Sequence, residues 1–127
     1  LSGLVGSEMC IRDSYRTSKE RKEDPTLEFL YRSAGPVWYR GMVCADEKYD
    51  PLTPEQTGAL LRRYDADRLL VGHTIFPDIS TFHDGRVIAV NVQNDLNRRK
   101  NRGRAVLIEG SRISVVGNRG VKRVLEE

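Results

Sequence analysis

The chain has 127 residues, with 21 basic and 18 acidic side chains, a net charge of +3 and a hydrophobic share of 39%. That length allows one domain with a modest core. The mild positive charge is far from the bias of a dedicated nucleic-acid binder, and no apolar run approaches the roughly 18 residues of a membrane-spanning helix.

Leu1 to Ser14 (LSGLVGSEMCIRDS) shows neither a clear period nor capping logic. It resembles translated sequencing-adapter read-through. It is expected to be an artefactual or disordered segment ahead of a domain at residues 15–127. On that reading the native N-terminal part of the gene product is missing. Setting the segment aside leaves 20 basic against 16 acidic residues, a net charge of +4, and a single cysteine, Cys44. One cysteine cannot form an internal disulfide, so the body reads as reduced or indifferent to redox state. The compartment is left open, with the cytoplasm as default, because a signal peptide could have preceded the missing portion.

Tyr15 to Asp24 is densely charged and reads as a solvated helix end or loop. Asp24-Pro25 reads as an N-cap followed by proline in the first helical position. Leu27, Leu30 and Tyr31 then give a short helical face through Ser33, ended by Gly35-Pro36. Val37 to Val43 (VWYRGMV) is compact and aromatic, with Trp38 assigned to the core. Thr53-Pro54-Glu55-Gln56 starts a second helix, with Gln56 placed to complete a capping box. Leu60, Leu61 and Tyr64 lie on one face of this helix, which runs to about Ala66. Arg68 to Gly72 reads as a short buried strand. Helix, link and apolar strand form half of an α/β unit. Asp84-Gly85 lies between β-favouring runs and predicts a hairpin into a strand at Arg86 to Val92. Gln93 to Gly103 reads as a polar, basic loop. Arg104 to Glu109 and Arg112 to Val116 form a second hairpin around Gly110-Ser111, and Val121 to Leu125 is a short terminal element. The expectation is an α/β chain of two helices followed by four or five mainly antiparallel strands.

Val71-Gly72-His73-Thr74 is the most informative stretch. Imidazole is the commonest neutral metal ligand. A strand terminus fixes its direction better than a free loop does.

Two stretches resemble the C-terminal part of calcineurin-like metallophosphoesterases, the superfamily that includes the PPP-type phosphoprotein phosphatases. Leu69 to Val92 (LLVGHTIFPDISTFHDGRVIAVNV) is similar to the family's last metal-ligand motif: strand, Gly-His, about ten connecting residues, then an Asp-Gly hairpin into an outer strand. Gly35 to Gly41 (GPVWYRG) is similar to a tryptophan-arginine segment in bacterial members close to the Shewanella-like phosphatases. With the helix between them, the resemblance covers roughly Thr26 to Glu109.

The resemblance implies the C-terminal part of a four-layer α/β/β/α sandwich whose parent is a metal-dependent phosphoester hydrolase. In that superfamily two metal ions about 3.5–4 Å apart hold the phosphate and activate the attacking water. Mn, Fe or Zn suits the family's aspartate, asparagine and histidine ligands. His73 would bind the second metal, and Arg40 would contact a substrate phosphate through its planar fork. The substrate would be a phosphoprotein or a small phosphoester. Many members carry a second histidine two residues on; here that position is Ile75, as in the PPP-like branch. The family's Asp-x-His, Gly-Asp and Gly-Asn-His motifs do not occur in this sequence. The chain alone is therefore expected to be inactive.

The alternative is a non-enzymatic α+β module that binds anionic partners through Arg98 to Arg104, which packs five basic residues into seven positions. No aromatic interrupts that run, so it offers no base-stacking platform and nucleic acid is disfavoured. Arg40 read without the resemblance is a surface arginine stacked on Trp38 or Tyr39.

Overall fold

A computed structural model describes residues 18–120 and 122–126. Residues 1–14, Tyr15 to Thr17 of the charged stretch, and Val121 lie outside the described residues. The chain falls into two compact units that divide between Pro51 and Leu52.

The first unit carries α1 (Ser18–Glu23) and α2 (Pro25–Tyr31). Asp24 separates them as the expected N-cap. Its carboxylate accepts from the backbone N–H groups of Thr26 at 2.9 Å and Leu27 at 3.3 Å, satisfying two of the donors a helix start leaves unpaired. A single turn of 3-10 helix at Glu47–Tyr49 follows, capped by Asp46.

The second unit opens with α3 (Pro54–Arg63), in which Thr53 and Gln56 form the expected reciprocal capping box. The N–H of Thr53 donates to Gln56 Oε1 at 2.8 Å, and that of Gln56 donates to Thr53 Oγ1 at 3.2 Å. The helix stops at Arg63 rather than Ala66, because Asp65 takes a left-handed backbone at φ 49°.

Two three-stranded sheets follow. The first holds β1 (Leu69–Val71), β2 (Ser80–Phe82) and β3 (Val87–Ala89) in the order β1-β3-β2. β1 pairs with β3 in parallel, Leu69 with Val87 and Val71 with Ala89. β2 pairs with β3 antiparallel through the predicted hairpin. Its turn is built from three successive left-handed residues, His83, Asp84 and Gly85. The second sheet holds β4 (Arg104–Glu109), β5 (Arg112–Gly117) and β6 (Lys122–Glu126), an antiparallel meander. Gly110 supplies the positive φ of the β4–β5 turn.

The chain is thus mixed α/β, as expected. Among the described residues there are six strands rather than four or five, and one pairing is parallel. Gln93 to Gly103 is not a plain loop: Asn94–Arg99 forms a helix, α4. β1 is less buried than the sequence suggested, with Leu70 43% exposed, because β1 is an edge strand.

The core cluster joins the two sheets. Ile79, Ile88 and Val92 meet Ile113 and Val115, with Val90, Val106 and Leu125 packed around them. Val87 and Ala89 point to the opposite side of β3 from Ile88 and are equally buried. Both faces of the central strand are therefore covered. α3 buries Thr57, Gly58 and Leu61, and its first turn is tied to the hairpin by Arg86, whose Nη1 donates to the Pro54 carbonyl at 3.4 Å.

Candidate functional site

His73 lies two residues past the carboxyl end of β1, the end of a parallel strand where α/β proteins place ligands. The backbone there is unusual. Val71 pairs with Ala89, and the parallel pairing resumes at Phe76 with Val92. Between those points the first segment advances five residues and the second three. The two extra residues form a bulged loop, fastened on either side by Val90 N–H to Val71 O at 2.9 Å and Phe76 N–H to Asn91 O at 2.9 Å. At its apex Thr74 N–H donates to the Gly72 carbonyl at 2.8 Å, closing a three-residue turn centred on His73. His73 has φ 67°. That is the left-handed region, which costs a side chain with a β-carbon about 1–3 kcal/mol.

Gly72 has no positive φ, and a β-carbon added there would meet nothing within 4 Å; the strained residue is His73 itself. Such strain persists where the surroundings impose it, and it clusters at ligand-binding positions. The imidazole is exposed. The loop's exit is anchored by Phe76, whose ring packs on Phe82 at 5.4 Å between centroids.

Arg40 lies in the first unit. Its carbonyl accepts from the N–H groups of Val43 at 3.0 Å and Cys44 at 2.9 Å, forming a tight turn. Its guanidinium sits over the Tyr49 ring, 5.9 Å from the centroid, not over Trp38 or Tyr39. The difference comes from how the segment closes. Tyr39 reaches across the chain so that its hydroxyl donates to the Asp50 carbonyl at 3.0 Å, which brings Tyr49 beside Arg40. Partial burial, with the Asp50 carboxylate nearby as a smaller cause, raises the Tyr39 phenol above its usual value. Trp38, expected in the core, is 48% exposed.

The two glycines of GPVWYRG are required by close approach. A β-carbon at Gly35 would fall on the Phe29 carbonyl oxygen and within 2.8 Å of that of Leu30. One at Gly41 would strike the Tyr39 hydroxyl and lie 2.7 Å from the Asp50 carbonyl. Backbone atoms cannot yield as a flexible side chain does. Gly35→Ala is expected to destabilise the chain by about 1–3 kcal/mol, while Gly72→Ala changes stability by less than about 0.5 kcal/mol. Thermal melts of the two variants side by side check this; equal melting temperatures would refute the close-approach account.

His83, at φ 53°, belongs to the hairpin turn. Among the described residues, no group of three or more His, Cys, Asp or Glu side chains is arranged to hold a metal ion, and no helix is long and apolar enough to cross a membrane. Arg98 and Arg99, expected in a solvated loop, instead end α4 and stay exposed, while Lys100, Arg102 and Arg104 line a cleft that begins at Ile75. Sequence reasoning missed that cleft. The one available signal was an aliphatic residue, Leu96, inside an otherwise polar basic run.

No family model and no curated protein matches the chain. Solved structures do. A cold-active protein tyrosine phosphatase of a psychrophilic Shewanella species matches with a TM-score of 0.66 and 25% identity, over 97% of this chain and 35% of that one. A structure of cold-active protein tyrosine phosphatase at 1.1 Å matches with a TM-score of 0.63 and 26% identity, over 87% of this chain and 30% of that one. A point mutant of such an enzyme gives 0.62 and 25%, with 31% of its length covered. The chain thus spans about a third of the length of the solved phosphatases it matches. This similarity bears out the resemblance that Leu69 to Val92 and Gly35 to Gly41 carry to part of a PPP-like calcineurin-type metallophosphoesterase.

Proposed function

We propose that this chain supplies the C-terminal part of a metal-dependent phosphoester hydrolase with the four-layer α/β/β/α sandwich. In it His73 would be one ligand of the second metal of a Mn, Fe or Zn pair. The observation that carries the reading is a histidine held at φ 67° past a parallel strand end, in a chain that matches a third of a solved phosphatase. The donor fits the role. The imidazole is exposed, on a bulged loop fastened at both ends by backbone hydrogen bonds, and a metal-binding imidazole ligates through one ring nitrogen while the other donates to an outer acceptor.

Arg40 would meet a phosphate oxygen pair through its guanidinium fork, with the Tyr49 ring limiting the directions the fork can take. When bound, the metal ions neutralise phosphate oxygens and lower the pKa of the attacking water. One imidazole does not hold a divalent ion tightly, so the remaining ligands would come from the part of the hydrolase that this sequence does not contain. The substrate would be a phosphoprotein or a small phosphoester.

The 127-residue chain, given Mn²⁺ and an aryl phosphate, is expected to show no turnover above buffer. Turnover that disappears in His73→Ala would sink the view that the catalytic site needs additional chain. Mn²⁺ should broaden the proton resonances of His73 before those of His83, the only other histidine; the reverse order would take the metal role away from His73.

A further inference from the structure

The cleft beside the His73 loop has no part in that reading. It encloses about 470 Å³ between residues 75–78 on one side and α4 with Lys100, Arg102 and Arg104 on the other. This volume lies within the range of ligand sites, and is much larger than an inorganic anion needs.

Its charges are not equivalent. Arg104 Nε donates to Asp78 Oδ1 at 3.1 Å, and Arg123 approaches the other Asp78 oxygen at 3.9 Å. Arg104 also donates through Nη1 to the carbonyls of Arg102 at 3.2 Å and Gly103 at 3.0 Å. Asp78 and Arg104 therefore offset one another and fix the wall. Lys100 and Arg102 make no side-chain ion pair among the described residues, so the cleft keeps a net positive end.

Its other lining is apolar. Ile75 is 55% exposed and Leu96 44% exposed, both at the cleft. Asn97 adds an amide whose Nδ2 is buried and unbonded. An unpaired buried donor costs about 1–3 kcal/mol. The broad χ2 torsion of asparagine lets the amide turn toward an acceptor at low cost.

A ligand that fits has an anionic group, a neighbouring aliphatic surface and an acceptor for Asn97. We propose that the cleft binds an acidic peptide segment: a carboxylate side chain meets Lys100 and Arg102, an adjacent aliphatic side chain covers Ile75 and Leu96, and a peptide carbonyl accepts from Asn97. A nucleic acid fits less well, because the one aromatic in the cleft, Phe76, is packed on Phe82 and gives bases no free face on which to stack. The proposal stands independently of the hydrolase reading.

Fluorescence anisotropy of the 127-residue chain with a labelled acetyl-(Leu-Glu)₃-amide tests it, with the glutamine analogue as control. Saturable binding is expected, weakened at least about tenfold by Glu→Gln in the peptide, or about 1.4 kcal/mol. The protein variant K100Q/R102Q should lose about as much, and L96S several-fold, while R98Q/R99Q stays within about twofold of wild type. Should K100Q/R102Q unfold by circular dichroism, the two peptides on the wild-type chain carry the test alone. Equal binding of the glutamine peptide, or no saturable binding, overturns the proposal. So does an equal loss in R98Q/R99Q, which would mark a diffuse cationic surface, or an oligothymidylate that displaces the acidic peptide.

Discussion

In a longer reading frame that carries this chain, His73→Ala is expected to lower Mn²⁺-dependent hydrolysis of an aryl phosphate by more than about a hundredfold. Removing an outer partner of a metal-binding histidine already costs about 10–100-fold, and loss of the ligand itself should exceed that. Alanine is an imperfect probe on its own, because His73 sits at φ 67° and alanine bears the same left-handed strain. His73→Asn separates strain from ligation, since asparagine visits this region readily and the backbone hydrogen bonds on either side of the loop involve Val71, Phe76, Val90 and Asn91. Its amide oxygen is a weaker metal ligand than imidazole, so it should lose activity but less than His73→Ala, with the loop folded in both. A third variant gives a readout that does not depend on activity. His73→Gly removes the strain and should stabilise the 127-residue chain by about 0.4–1 kcal/mol or more, offset in part by glycine's greater freedom when unfolded. A residue that lowers stability where it stands, and is tolerated there, fits a position kept for binding. Activity retained within about tenfold in both His73→Ala and His73→Asn would end the metal-ligand reading.

The parts of the fold that were legible in the sequence are those specified by neighbouring residues. Asp24-Pro25, the Thr53 to Gln56 capping box, the Asp84-Gly85 turn and the Gly110 turn each rest on a local hydrogen bond or backbone preference, and each stands where the residues placed it. What was not legible depends on distant partners. β1 pairs with β3 in parallel, passing over the intervening β2 in sequence, and no local pattern encodes that choice. The single strand expected at Arg86 to Val92 is interrupted after Ala89, because Val92 pairs with Phe76 beyond the His73 bulge. α4 gave almost no signal: its N-cap Gln93 makes no side-chain hydrogen bond, and Leu96 is the one large apolar residue in it. His73 and Arg40 were named from the sequence. The left-handed turn under one and the Tyr49 ring under the other come from backbone closure that only the fold supplies.

Ile88→Ala should be the most damaging single change to stability, at about 2–5 kcal/mol. Ile88 is 2% exposed. It sits in the middle of the central strand, opposite Leu70 on one side and Thr81 on the other. It also belongs to the cluster that joins the first sheet to Ile113 and Val115 of the second. Deleting three of its side-chain carbons leaves a void bounded by β-strands on both sheets, and strands pinned by ladder hydrogen bonds close such voids poorly. Whole-domain stability is only about 5–15 kcal/mol, and a core this small places the unit toward the lower end. The variant should therefore populate unfolded chain measurably at 25 °C. Ile108 gives the internal contrast. It is the same residue type, in a strand of the second sheet, but 52% exposed, so Ile108→Ala should change stability by no more than about 0.5 kcal/mol. Urea unfolding of both variants at equal m-value measures the difference directly. A gap below about 1 kcal/mol would mean that the joint between the two sheets does not hold this unit together. A large gap would also explain why the His73 loop keeps its strained turn: Val71 and Phe76, which fasten the loop on either side, both pair with the strand segment that Ile88 anchors.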